Sequence, residues 1–195
     1  DRIFIIIPFC FPFMAVIGAF LLNNHGTNIV TMIMLGAIAV YVFMVVLYRD
    51  KLNENVYPWA LWMIGLSLLL MHSMRSWYFM GSDVVSEYHF FDLAIKNSVW
   101  DIKNYAYGYN VCLSVSILPS ILNIFINISP LLTFKLMVQL IFPVILIVIY
   151  LFFKKFSNPI FSFLAVFFFM SQVGYIIDMP SVLRQEIALI FFSLM

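Results

Sequence analysis

The sequence is poor in charge. Of its 195 residues, 10 are Lys or Arg and 9 are Asp or Glu, leaving a net charge of +1. A balance that close to zero gives no basic field and argues against nucleic acid as a partner. Cysteine is nearly absent. Cys10 and Cys112 stand far apart in apolar surroundings, which suits small packing residues and not a disulfide frame or a metal site. The chain also lacks a Walker loop and the GxGxxG, HExxH, CxxC and GxSxG patterns, so the common nucleotide, zinc-hydrolase, dithiol and serine-nucleophile signatures are missing. No internal repeat or low-complexity tract is visible.

What the chain has is apolar mass. It is 65% hydrophobic, with 22 Phe and 12 Met, and its mean hydropathy is +1.06. A soluble domain of this length has too little interior for that much apolar surface. Runs of roughly 20 apolar residues recur, each long enough to cross the ~30 Å hydrocarbon layer as a helix. The expected fold class is therefore all-α, a polytopic helical membrane protein. Spans are expected at 3–22, 28–48, 58–74, 130–153 and 159–173, with a short loop GYIIDMPS and a last helix from about residue 181. Pro58 falls in a first turn, where its missing N–H costs nothing, and Ser129 with Pro130 reads as cap and first helical residue. The chain opens on Asp1 and stops inside an apolar run, as a piece of a longer protein continuing beyond 195 does. Arg2 is the only basic residue before span one and no small-residue cleavage site follows it, so that span reads as retained.

Between spans lies a mixed region, 75–129. GSDVVSEYHFFDLAIKNS reads as an amphipathic helix with Val84, Tyr88, Phe91 and Ile95 on one stripe and Asp92 paired with Lys96; such a helix suits the membrane surface. Residues 111–127 are apolar but broken by Pro119 and diluted by Ser and Asn. Placing Arg49, Lys51, Lys154 and Lys155 on the cytoplasmic side makes 75–129 an external loop, provided 111–127 does not cross. Asp83, Glu87, Asp92, Asp101, Asp178 and Glu186 then face outside.

Asp83 and Glu87 raise a question of charge. They sit at i and i+4, where two ionised carboxylates repel. A cation, a positive partner or a raised pKa is needed to hold them there. The second acidic segment, DMPSVLRQEIALIFFSL, carries Arg184 and Glu186 at the mouth of a lipid-suited helix. The guanidinium fork of Arg suits phosphate oxygens, and ionisable residues at span ends are functional candidates. The aromatic run YAYGYN suits either a sugar-stacking surface or an interfacial belt.

This order of a span, an acid just outside it, a long loop with surface helices, two more spans and a second acidic loop resembles the C-type (GT-C) integral membrane glycosyltransferases. The D-x-x-x-E-Y of Asp83, Glu87 and Tyr88, the YNVCLSVSILP run and the RQEIALIFF run are most similar to an uncharacterised, mainly archaeal family of multi-pass membrane proteins. The resemblance covers roughly 57–195, leaving 1–56 as two preceding spans and their link. It implies a GT-C-like core and transfer of a sugar from a polyprenyl-phosphate-type lipid carrier to an acceptor on the outer face of the plasma membrane. It implies Asp83 and Glu87 as catalytic residues, and Arg184, Glu186, Asp178, His89 and Tyr88 as the substrate-binding set. A divalent cation, Mg or Mn, would sit on Asp83 and Glu186. The first-loop motif departs from both the Asp-Pro and the Asp-Glu forms of characterised members. Two other classes stay open at this point. A transporter or flippase of lipid-linked sugars wants ionisable groups near the bilayer midplane, and spans 28–48 and 130–153 have almost none apart from Lys135 near an end, which argues against it. In a non-catalytic scaffold subunit the carboxylates do not converge.

Overall fold

The computed structural model describes residues 2–103 and 105–195; Asp1, with which the expected fragment opens, and Asn104, in the expected interfacial loop, lie outside them. Among the described residues every regular element is helical. Helices α1 (Arg2–His25) and α2 (Ile29–Leu47) form an antiparallel hairpin, and α3 (Val56–Ser73) packs against α1. Four stretches are long and apolar enough to cross a membrane: α1, α2, α3 and Pro130–Lys154. They fit a membrane protein.

α3 is the hub. It carries little charge and is buried around most of its circumference, touching α1 and the later helices α7 (Pro130–Ile141), α8 (Val144–Lys154) and α9 (Pro159–Met170). Gly65 makes this closeness tolerable, because a Cβ there would collide with Leu146 and with the Tyr175 hydroxyl. α1 shows how a proline is accommodated in lipid. Pro8 has no N–H to give to the Phe4 carbonyl one turn back, and Tyr41 Oη donates to that carbonyl instead, at 2.8 Å. A freed backbone group in hydrocarbon needs such a substitute.

The span expected at 130–153 is not one straight helix. It divides into α7 (Pro130–Ile141) and α8 (Val144–Lys154) at Pro143, which cannot donate to the Gln139 carbonyl. Ser129 caps α7 as expected, its Oγ accepting from Leu132 N at 3.3 Å. The span expected at 159–173 ends early, as α9 (Pro159–Met170). The expected loop GYIIDMPS is instead a π turn, Gly174–Asp178, and a 3₁₀ turn, Met179–Ser181, bent by 60° from α9. α10 (Leu183–Ser193) follows.

The remaining helices sit at one end of the bundle: α4 (Ser82–Asn97), the single turn α5 (Gly108–Val111) and α6 (Leu113–Ile126). α4 is two-sided as expected, with Val85, His89 and Lys96 exposed on its outer side. Its stripe does not face lipid: Val84 and Phe91 belong to the protein core, with Tyr88 and Ile95 packed on it. α6 begins beside α4 and ends where Asn123 Nδ2 donates to Thr133 Oγ1 at the start of α7, at 2.8 Å. At 14 residues α6 is shorter than the four stretches long enough to span. At the opposite end Lys154 pairs with Glu54, so the α2–α3 link and the end of α8 lie together.

Candidate functional site

Gly81 starts the site. Its φ of +122° is open only to glycine, and it turns the chain from the α3–α4 link into α4 beside Ser181, whose Oγ donates to the Met80 carbonyl at 3.2 Å. Asp83 then falls in the first turn of α4, where a carboxylate complements the helix dipole. Glu87 stands one turn on, on the same face.

The positive partner these two carboxylates require is Arg184. Its Nη2 donates to Asp83 Oδ2 at 2.6 Å and its Nη1 to Glu87 Oε1 at 2.8 Å. Such charge-assisted contacts are short and strong. Glu87 does more. Its Oε2 accepts from the Leu183 N–H at 3.0 Å. α10 has no side-chain cap of its own from Val182, so Glu87 serves as its N-terminal acceptor from another helix. Glu87 is wholly buried, whereas the Asp83 side chain is 34% exposed. Their acidities separate accordingly. Burial pushes the Glu87 carboxyl up, against the pull of Arg184 and the α10 N–H groups. The hydrogen bond from Arg184 holds Asp83 below the usual carboxylate range.

Tyr109 completes the site. Its ring lies 4.3 Å from the Arg184 guanidinium carbon, a cation–π distance. Asn110 fixes the turn carrying it, its Nδ2 donating to the carbonyls of Asp101 at 3.0 Å and Tyr105 at 2.9 Å. An open groove of about 340 Å³ runs past these groups, lined by Tyr107, Gly108, Tyr109, Cys112 and Arg184. The YAYGYN run thus lies against the charged cluster.

Other expected residues lie elsewhere. Tyr88 is a packing residue, its ring 4.6 Å from Phe79 and 5.5 Å from Phe134. His89 is exposed, on a different face of α4 from Asp83 and Glu87, against Phe90. Asp178 is exposed on the π turn and bonds to none of the cluster. Glu186 is wholly buried, taking one hydrogen bond from Gln139 Nε2 at 3.1 Å; burial pushes its carboxyl well up. It points away from the groove because it sits two residues past Arg184 on a helix. Among the described residues no group of three His, Cys, Asp or Glu is placed to hold a metal ion. Asp83 faces a guanidinium and Glu186 an amide, so this donor set does not suit the expected cation.

Lys135 was visible in the sequence as a lone charge near one end of span 130–153, but its role was not; it is buried on α7 and its ammonium donates to the carbonyls of Ser76 and Tyr78. It pins the α3–α4 link that delivers Asp83. A lone lysine inside an apolar run was the available signal. No family model, curated protein or solved structure matches the chain.

Proposed function

We propose that this chain is a membrane glycosyltransferase, or part of one, that moves a sugar from a polyprenyl-phosphate-type carrier to an acceptor hydroxyl at the outer face of the plasma membrane. The observation that carries the reading is a single guanidinium shared by two carboxylates of unequal exposure beside a tyrosine-lined groove. Tyr107 and Tyr109 offer aromatic faces to a sugar, and Arg184 offers its fork to the phosphate.

The unequal burial suggests an exchange. A donor phosphate competes for Arg184 Nη2 with Asp83, the more exposed acid, while Glu87 keeps Nη1 and the start of α10 in place. Released from Arg184, Asp83 becomes more basic. It takes the proton of the acceptor hydroxyl as the acceptor oxygen bonds to the anomeric carbon. The bond from that carbon to the phosphate oxygen breaks, and its electron pair stays on the phosphate, where Arg184 meets the growing charge. A positioned base contributes ~10²–10⁴-fold in such a step.

Transfer from a polyprenyl-phosphate-linked sugar in proteoliposomes, wild type against Asp83→Asn, tests this. Loss of transfer with donor binding retained supports the reading; undiminished transfer removes Asp83 from the mechanism. A transporter of lipid-linked sugars is the second reading, favoured by the buried Glu186, Gln139 and Lys135 inside the bundle. Movement of the lipid across the same vesicles without transfer would select it.

A further inference from the structure

A second polar cluster lies inside the bundle, apart from the groove. Lys135 is 4% exposed and Glu186 is wholly buried, yet among the described residues neither joins an ion pair. The Lys135 ammonium donates hydrogen bonds to the Ser76 and Tyr78 carbonyls and faces the Phe79 ring at 5.4 Å. An ammonium has a third N–H to donate. Glu186 is bonded through one oxygen to Gln139 Nε2, and Gln139 Oε1 has no partner. Gln139, 1% exposed, lines a cavity of about 20 Å³ together with Lys135, Ser73 and His72. His72 is 9% exposed and its Nε2 is likewise unpartnered.

An ammonium that donates, an amide oxygen that accepts and an imidazole nitrogen that does either thus border one space. A water needs ~10–15 Å³ and two to four polar partners. An anion meets the Gln139 oxygen, a cation meets Lys135, and an apolar guest strands both. We propose that this cavity binds one water, completing a relay from Lys135 through Gln139 to Glu186. The water accepts from Lys135 Nζ, donates to Gln139 Oε1 and pairs with His72 Nε2. Two ionisable groups without direct partners are held to each other through one water and one amide. The relay ties α3, α7 and α10 together, and it stands whether or not the groove binds a sugar carrier.

A double-variant cycle on the full chain in lipid tests the relay. Linked groups give a Tm loss for Lys135→Met with Glu186→Gln that falls short of the summed single losses by ~2 °C or more. Additive losses overturn the relay. His72→Phe fills the cavity and tests the water. A wet cavity predicts a fall in Tm of ~2–4 °C as Gln139 and Lys135 are stranded; an unchanged or raised Tm overturns it. Should these variants not fold, a wild-type structure fine enough to show ordered water decides. Density within hydrogen-bond reach of Lys135 Nζ and Gln139 Oε1 supports the proposal, and an empty cavity overturns it.

Discussion

Each end of the bundle is joined by an ion pair between distant segments, and the two pairs differ in burial. At one end Lys154 meets Glu54, with side chains 36% and 55% exposed, across 100 residues. At the other Arg184 meets Glu87, 26% and 0% exposed, across 97 residues. The first pair stays in contact with water and loses little if it breaks. In the second, Glu87 itself has no water to fall back on, so it needs both the guanidinium and the α10 N–H. Asp83 stands between these cases. It shares the buried pair's partner and keeps the exposed pair's freedom to let go, which is the property the proposed exchange uses.

Glu87→Leu should show the largest effect. It strands the buried Leu183 N–H and leaves Arg184 with Asp83 alone, at a cost of ~2–3 kcal/mol by unfolding in lipid or detergent. A loss no larger than at Glu54 would erase the contrast between the two ends. Arg184→Lys keeps the charge but cannot fork to both acids; one charge-assisted bond is lost, about 1.5 kcal/mol. Glu54→Gln should cost at most ~1 kcal/mol, and less at high salt.

Titration separates the two acids in sign. Asp83 has its acidity strengthened by Arg184, so its contribution is present above the usual carboxyl range near ~3.9 and lost as pH falls through its lowered pKa. Glu87 is raised by burial, so its ionisation costs stability that is recovered as pH falls through its pKa. Tm against pH for wild type, Asp83→Asn and Glu87→Gln checks this. From neutral pH downward, wild type should first gain on Glu87→Gln, then lose to Asp83→Asn.

Much of the helical layout was legible because apolar length, caps and i,i+4 spacing are local. The Ser129 cap stands where expected, and Asp92 meets Lys96 at 2.6 Å. The conflict between Asp83 and Glu87 was also legible as a need for something positive. The supplier was not, since Arg184 comes from another helix 101 residues away from Asp83. The same gap hid the fate of Glu186. Its neighbour Arg184 turns toward the groove, and helical rotation turns Glu186 to Gln139 inside the bundle. The stripe of α4 was read correctly as a stripe but given to lipid, because sequence does not say which apolar surface covers it. Pro143 was passed over inside a strongly apolar run, and the π turn after α9 has no local pattern of its own.

The central claim is that the Tyr109–Arg184 groove opens to the outside and seats a lipid-linked sugar. Cys112, on its wall, is a native reporter once Cys10 is replaced by alanine. A membrane-impermeant thiol reagent added to intact cells should modify Cys112, and a polyprenyl-phosphate-linked sugar should slow that modification while an unphosphorylated polyprenol does not. Modification only after the cells are opened, or a rate indifferent to the phosphorylated lipid, would contradict the account.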